Sequence, residues 1–189
     1  MRVIAGSAKG RKLKPVPGDT TRPITDRTKE ALFSILGNWI VEARVLDLFG
    51  GTGAVGIEAL SRGAAHVTFV EKSHNATRVI GDNLQTTGLV SRAYVKRGDA
   101  FKFLEQPPAQ AFDLIYVAPP QYRDLWAETI YKIDARLNSW LLPDGAVIAQ
   151  INPMEYQALT LQNLVLYDER KYGSTLLCFY EWLAETSEA

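Results

Sequence analysis

The sequence contains one cysteine, Cys178, and two histidines, His66 and His74, among its 189 residues. One cysteine excludes an internal disulfide framework and a cysteine-cluster zinc site, and two histidines are too few for a histidine-rich metal centre. We therefore expect no metal. No run of about 18 uncharged apolar residues exists, which excludes a membrane-spanning helix. The first residues pass at once into charged sequence, without an apolar signal-peptide region, so we expect a cytoplasmic protein.

The remaining composition is that of an ordinary globular protein, with 47% hydrophobic and 22% charged residues. The length predicts one domain with room for a small appendage. The formal net charge is zero, but residues 1–29 carry eight basic and two acidic side chains, and the other 160 residues carry 13 basic and 19 acidic ones. A basic arm on a mildly acidic body is typical of polyanion binding, although a solvated, unpaired terminus has the same composition.

The N-terminal 24 residues contain two short β-like runs, Arg2–Ala5 and Arg11–Lys14, joined by a link with glycine at both ends. This pattern predicts a small hairpin. A helix begins after it, with Thr25 or Asp26 as its N-cap.

From residue 44 to residue 151 the chain alternates strand-like and helix-like segments, which predicts a parallel sheet covered by helices on both faces. Two further strands around Tyr172-Gly173-Ser174 predict a closing antiparallel hairpin. The expected fold is therefore α/β, with a mostly parallel seven-stranded sheet. The five predicted strands of the alternating part are Val45–Phe49, His66–Glu71, Ala93–Lys96, Phe112–Val117 and Ala146–Ile151, and the helix before the last is predicted over Arg123–Leu141.

A glycine-rich turn follows the first of these strands and opens directly into a helix. Gly51, Gly53 and Gly56 satisfy the pattern G-x-G-x-x-G, which suits the close approach of a nucleotide to the backbone. A dinucleotide and S-adenosylmethionine both fit this pattern. Asp47, just before the turn, favours S-adenosylmethionine, because that cofactor carries ammonium and sulfonium groups and no phosphate.

Two more acidic residues follow neighbouring strands. Glu71 ends the second strand and lies 18 residues after Gly53, a position from which a carboxylate can hold ribose hydroxyls. Asp99 follows the third strand, where it can accept a hydrogen bond from an adenine amine or act as a helix N-cap. The two roles of Asp99 are compatible.

The fourth strand ends in Ala118-Pro119-Pro120-Gln121-Tyr122, next to the predicted switch point of the sheet. The proline pair fixes the backbone and leaves carbonyls able to accept hydrogen bonds from a substrate amine. Tyr122 can stack on a flat base. A rigid turn with a packed tyrosine is the alternative interpretation.

Together these segments resemble the bacterial RsmD-type 16S rRNA (guanine-N2)-methyltransferases. The resemblance is carried by six segments, in this order along nearly the whole chain: Met1–Gly6, Lys9–Leu13, Thr21–Phe33, Val45–Gly53, Gly56–Ala64 and Tyr172–Thr175. It implies a Rossmann-like class I methyltransferase fold. It also implies an S-adenosylmethionine-binding domain over residues 25–185, a basic hairpin extension over residues 1–24, and a 16S rRNA substrate.

The resemblance also assigns roles to individual residues. It implies that Asp47, Gly51 and Gly53 hold the methionine part of the cofactor, with Phe49 in the same loop, and that Glu71 holds the ribose and Asp99 the adenine. Residues Thr25 to Arg27 would close over the cofactor. We expect Ala118, Pro119, Pro120 and Tyr122 to form the methyl-transfer site, and a monomer that acts on a 30S assembly particle. The basic side chains expected to contact RNA are Lys9, Arg11, Lys12, Lys14 and Arg22.

The sequence departs from the family pattern at position 118. Amino-methylating enzymes of this kind usually carry Asp or Asn before the proline pair and Tyr or Phe after it, whereas this chain has Ala118 and Gln121 there. Losing one such acceptor costs about 10²–10³ in rate. A catalytically silent RNA-binding homologue that keeps its cofactor is therefore one alternative function. A nicotinamide-dependent oxidoreductase, favoured by the glycine pattern alone, is another.

Overall fold

The computed structural model describes residues 1–18, 24–121 and 124–183, so the predicted site residues Arg22 and Tyr122 lie outside the described residues. Within these ranges seven strands form one sheet. They are β1 (Arg44–Leu48), β2 (His66–Glu71), β3 (Ala93–Arg97), β4 (Phe112–Val117), β5 (Leu141–Ile151), β6 (Leu164–Tyr172) and β7 (Thr175–Trp182).

The spatial order of the strands is β3-β2-β1-β4-β5-β7-β6. Strands β1 to β5 are parallel, and β7 runs antiparallel to both β5 and β6. Because β1 pairs with both β2 and β4, the strand order reverses direction there, and a ligand-binding crevice opens beyond the carboxyl ends of these strands. The predicted fold, a mostly parallel seven-stranded sheet with a closing antiparallel hairpin, is confirmed.

Helices cover both faces of the sheet and divide the core into two layers. They are α1 (Asp26–Leu36), α2 (Ala54–Ser61), α3 (His74–Thr87), α4 (Ala100–Phe103), α5 (Leu125–Asp134) and α6 (Leu137–Trp140). One layer joins α1, α2 and α3 to alternate side chains of the strands, such as Val45, Leu114 and Ile148. The other layer joins α4, α5 and α6 to the intervening side chains, such as Ile115 and Val147.

The prediction of one helix over Arg123–Leu141 is wrong. In the described part of that range α5 ends at Asp134, the short α6 follows, and Leu141 already belongs to β5. The buried Leu137 and Trp140 continue the helical spacing of apolar residues, which explains the error. Tertiary packing overrides that spacing, because Trp140 stacks on Phe112 of β4 and the next residue must pair with that strand.

The N-terminal hairpin (residues 1–14) is held by one antiparallel bridge, between Arg2 and Lys12, rather than by two full strands. Its backbone hydrogen bonds include Val3 N–H to the Arg11 carbonyl at 2.9 Å. Val3, Ala8 and Leu13 are buried in the same layer as α1 and α2. The hairpin is thus packed on the core. Among the described residues no helix is long and apolar enough to cross a membrane.

Candidate active site

A cleft of about 1190 Å³ lies beyond the carboxyl ends of the parallel strands. It brings together most of the positions predicted for the site. Its walls include Asp47, Phe49, Gly51, Glu71, Asp99, Ala118, Pro119 and Pro120, together with Pro15–Gly18, Ile24, Lys72, Phe101, Tyr116, Gln121 and Gln150. In the described part of the chain no group of three or more His, Cys, Asp or Glu residues could hold a metal ion.

Asp47 is a carboxylate buried at the floor of this cleft, with 3% of its surface exposed. Its Oδ2 atom accepts a hydrogen bond of 3.1 Å from the backbone N–H of Gly56. Burial raises the pKa of Asp47 to about 8; the Gly56 hydrogen bond opposes this effect, and the nearby charge of Glu71 adds to it. A carboxyl in this position is ready to ionise when a cation arrives, because the cation would replace the lost hydration.

The glycine-rich turn has the geometry that a close backbone approach requires. Gly51 and Gly53 have φ values of 54° and 77°, and Phe49 also has a positive φ of 64°. The third glycine, Gly56, is needed for close packing of α2 and not for a positive φ. A Cβ atom there would lie 2.3 Å from Cε1 of Phe69, so only glycine lets α2 pack this closely on β2.

Glu71 ties the glycine turn to the start of α3. Its Oε2 accepts from Gly51 N–H at 2.8 Å and its Oε1 accepts from Ser73 N–H at 2.7 Å. Each carboxylate oxygen keeps a second lone pair, so Glu71 can still accept from ribose hydroxyls. The structure therefore adds a loop-ordering role to the predicted one, which stays a prediction.

Asp99 both caps α4 and lines the cleft. Its Oδ1 accepts from Phe101 N–H at 3.0 Å and from Lys102 N–H at 3.3 Å, while Oδ2 contacts Lys72 Nζ at 3.2 Å. Burial raises the pKa of Asp99, but the Lys72 ion pair and the two N–H donors outweigh burial and leave the pKa below its usual value. The predicted N-cap is confirmed. The Phe101 ring beside it packs edge-on against Phe49, at 6.4 Å between centroids.

The turn after β4 forms the opposite wall, with Ala118 packed against the layer that contains α1 and α2. Two polar side chains lie next to it. Tyr116 is 2% exposed, and its hydroxyl donates a hydrogen bond to Oε1 of Gln150 on β5. Burial and the charge of Asp47 hold the pKa of Tyr116 well above its usual value, so its hydroxyl stays protonated.

Two buried charges anchor the N-terminal hairpin to the domain. Glu58 and Lys29 both have fully buried side chains, and their charged atoms lie 3.2 Å apart. Glu58 also accepts from the backbone N–H groups of Ile4 and Ala5, at 2.8 and 3.0 Å, and Lys29 donates to the Arg2 carbonyl at 2.6 Å. Since each charge has several partners, the network fixes the path of the hairpin.

A third buried polar residue links the hairpin to the glycine turn. Asn83 of α3 accepts from Lys14 N–H at 2.7 Å and donates to the carbonyls of Lys14 and Thr52, at 3.2 and 2.9 Å. The chain after Lys14, residues Pro15–Gly18, then runs along the cleft. Asn83 therefore couples the position of the basic segment to that of the predicted cofactor loop.

The predicted RNA-binding residues Lys9, Arg11, Lys12 and Lys14 are exposed on the N-terminal hairpin. Lys14 contacts Asp82 at 3.0 Å, and both of these side chains remain substantially exposed. Thr25 caps α1, accepting from Thr28 N–H at 3.1 Å. Thr25 and Arg27 are exposed and do not belong to the described lining of the cleft, whereas Ile24 does.

Sequence reasoning missed five polar residues of this region: Lys29, Glu58, Asn83, Tyr116 and Gln150. Most of their partners lie 27 to 69 positions away along the chain. The exception is Arg62, one helical turn after Glu58, whose Nε donates to Glu58 Oε1 at 2.8 Å. One signal was present for Glu58, a charge inside the otherwise apolar helix Ala54–Ser61. A charge with apolar neighbours on all sides indicates a buried, paired group.

The strand order, the glycine turn preceded by a buried acid, and the proline-fixed turn after β4 define a class I methyltransferase. The family described as Conserved hypothetical protein 95 matches residues 1–181. The chain belongs to this family, the RsmD-type methyltransferases, as the sequence resemblance predicted.

Similar proteins match over nearly their whole lengths. Ribosomal RNA small subunit methyltransferase D of Haemophilus influenzae is 34% identical over 183 residues, which cover 96% of this chain and 93% of that protein. The protein of the same name from Escherichia coli is 35% identical over 182 residues, with coverage of 96% and 89%. A solved structure of yhhF from Escherichia coli has a TM-score of 0.84 at 35% identity and covers 98% of this chain and 99% of its own.

Proposed function

We propose that this protein transfers a methyl group from S-adenosylmethionine to the exocyclic N2 amine of a guanine in 16S ribosomal RNA. The observation that carries the proposal is the buried Asp47 in the cleft, whose pKa is raised to about 8. Relatives named as ribosomal RNA small subunit methyltransferases support the choice of substrate. The proposal includes a cytoplasmic monomer that acts on a 30S assembly particle.

The chemistry of the cleft suits S-adenosylmethionine better than a dinucleotide. Asp47 would ionise beside the cofactor's positively charged methionine part and hold it, whereas a pyrophosphate beyond the glycine turn would keep the carboxyl protonated and gain no charge partner from it. Glu71 and Asp99 lie farther along the cleft wall, at the ends of β2 and β3, in the order needed for ribose and adenine. Asp47 therefore disfavours the nicotinamide-dependent alternative.

The RNA side of the site would combine phosphate contacts with one base contact. The exposed lysines and arginine of the N-terminal hairpin would bind phosphates, and Pro15–Gly18 would lead the RNA into the cleft. Pro119 and Pro120 would hold the flipped guanine, with Tyr122 stacking on it as the sequence predicts.

Bound S-adenosylmethionine supplies an electrophilic methyl group on a sulfonium. Held by Asp47, Glu71 and Asp99, it would give that methyl group to the guanine nitrogen and keep the electron pair of the broken carbon–sulfur bond, and the methylated amine would release its proton to water. The backbone carbonyls of Ala118 and Pro119 would accept hydrogen bonds from the amine and orient its lone pair. Such positioning lowers the barrier because the amine enters the reaction already aligned.

Ala118 favours a second candidate function. The usual carboxylate or carboxamide at this position is absent, so a catalytically silent protein that binds RNA and S-adenosylmethionine is also consistent with the cleft. An assay of turnover separates the two functions, because both require cofactor and RNA binding but only one produces methylated RNA.

The proposed function is tested with tritiated S-adenosylmethionine and 30S particles from a strain that lacks the gene. Transfer of label into 16S rRNA, with N2-methylguanosine as the labelled nucleoside, is the expected result. The matched control is Asp47→Asn, which should bind cofactor more weakly in calorimetry and transfer little label. Cofactor binding without transfer by the unaltered protein would establish the silent function, and binding of NAD in place of S-adenosylmethionine would contradict both.

A further inference from the structure

The proposed methyl-transfer site lacks a side-chain acceptor for the substrate amine at the end of β4, and a residue of the neighbouring strand β5 can supply one. At position 118 the side chain is a methyl group, so the end of β4 offers the amine backbone carbonyls alone. A reacting amine gains positive character as its bond to carbon forms, and an oxygen acceptor on its N–H group stabilises that charge. Such an acceptor must therefore come from a side chain next to position 118.

The strand register places Gln150 beside Ala118. Val117 of β4 pairs with Ala149 of β5, so the next residues along these parallel strands, Ala118 and Gln150, lie at the same level. Neighbouring strands are about 4.8 Å apart. Gln150 pairs on its other side with Leu177, which belongs to the core layer that Ala118 also packs against. Gln150 and Ala118 therefore point to the same face of the sheet.

Tyr116 holds the carboxamide of Gln150 in place. It lies two residues before Ala118, so its side chain is on that same face, and its hydroxyl donates to Oε1 of Gln150. A tyrosine hydroxyl has one proton to give, and the raised pKa of Tyr116 keeps that proton on the oxygen. The hydrogen bond fixes the direction of the amide oxygen, which retains a second lone pair. Both residues line the cleft.

We propose that Gln150 is a catalytic residue of this enzyme, whose Oε1 atom accepts a hydrogen bond from the exocyclic amine of guanine in place of the missing side chain at position 118. Tyr116 is its positioning residue. The acceptor is a carboxamide oxygen, like that of the Asn found before the proline pair in some amino-methylating enzymes, but it comes from β5 instead of β4. This role rests on the proposed function, because it requires an amine substrate in the cleft.

The role is tested first by binding, without any cofactor. Guanosine 5′-monophosphate and inosine 5′-monophosphate differ only by the exocyclic amine, and their dissociation constants can be compared by NMR titration. The unaltered protein should prefer the guanosine nucleotide by about 3- to 10-fold, the value of one hydrogen bond. Gln150→Met keeps the side-chain length and removes the acceptor, so its preference should vanish. Tyr116→Phe should reduce the preference without abolishing it.

Turnover and rescue complete the test. Gln150→Met should lower the methyl-transfer rate by about 10²–10³ at saturating cofactor, with an unchanged calorimetric affinity for S-adenosylmethionine. Its thermal midpoint should fall, as that of a folded variant, because the buried Tyr116 hydroxyl loses its acceptor. Ala118→Asn in the Gln150→Met background should restore both the rate and the guanosine preference. If Gln150→Met keeps the preference and the rate, the role of Gln150 is wrong although the proposed function stands. If the unaltered protein transfers no methyl group, the proposed function itself fails.

Discussion

Asp47→Asn should make the protein more stable while weakening its cofactor site. The carboxyl has a pKa of about 8 in the fold and about 3.9 in an unfolded chain, so the folded state binds its proton more tightly. The contribution of Asp47 to stability must then fall as pH rises from about 4 to about 8 and stay constant above that range. Asparagine has nearly the same shape as the protonated carboxyl and does not titrate.

The expected gain for Asp47→Asn is about 2 kcal/mol at pH 5, about 4 kcal/mol at pH 7 and about 6 kcal/mol at pH 9, at 1.36 kcal/mol for each pH step between the two pKa values. Urea unfolding of both proteins at these three pH values measures it, and the titrations of groups that do not interact with Asp47 cancel in the difference. The affinity for S-adenosylmethionine should change in the opposite direction, dropping by at least about 5-fold. A stability difference that does not vary with pH would refute the assignment of a neutral, buried Asp47.

Three further sets of substitutions test the packing and the charges. Gly56→Ala should lower the free energy of unfolding by about 1–3 kcal/mol, because the new Cβ atom would overlap Phe69. The control Gly81→Ala on α3 adds a Cβ atom with nothing within 4 Å and should stabilise the helix. Equal urea midpoints for the two variants would contradict this prediction. Glu58→Gln should lower the free energy of unfolding by about 3–5 kcal/mol, because it leaves the buried charge of Lys29 without its opposite charge. Lys29→Met should lower it clearly less. A smaller loss for Glu58→Gln than for Lys29→Met would argue against the network. Neutralising the basic side chains of the N-terminal hairpin should weaken RNA binding and flatten its salt dependence, by somewhat under one log unit per phosphate contact, at constant cofactor affinity.

Much of the fold was predictable because its signals are local. The glycine turn after a short apolar strand, the acid before it and the N-caps at Thr25 and Asp99 each depend on neighbours in the chain, and the structure has all of them. The alternation of strands and helices then leaves few topologies, because parallel strands need crossovers of one hand. The spacing of apolar residues wrongly predicted a continuous helix between Asp134 and Leu141, because packing against β4 determines the structure there.

The polar partners of the site were not predictable from the sequence. Tyr116 and Gln150 meet only because β4 and β5 pair in one particular register, which includes an irregularity between Phe112 and Leu114. A shift by one residue would turn Gln150 to the other face of the sheet. Likewise, Lys29 has the sequence pattern of an ordinary surface residue, and only the structure shows that the hairpin covers it and that its partner is Glu58.

The most direct test of the account is the nucleoside composition of 16S rRNA with and without the gene, measured by mass spectrometry. We predict less N2-methylguanosine in 16S rRNA from the strain that lacks the gene. The unaltered gene on a plasmid should restore the modification, and the Asp47→Asn gene should not. An unchanged level of N2-methylguanosine in the strain without the gene would contradict the claim that this protein is a guanine-N2 methyltransferase of the small ribosomal subunit.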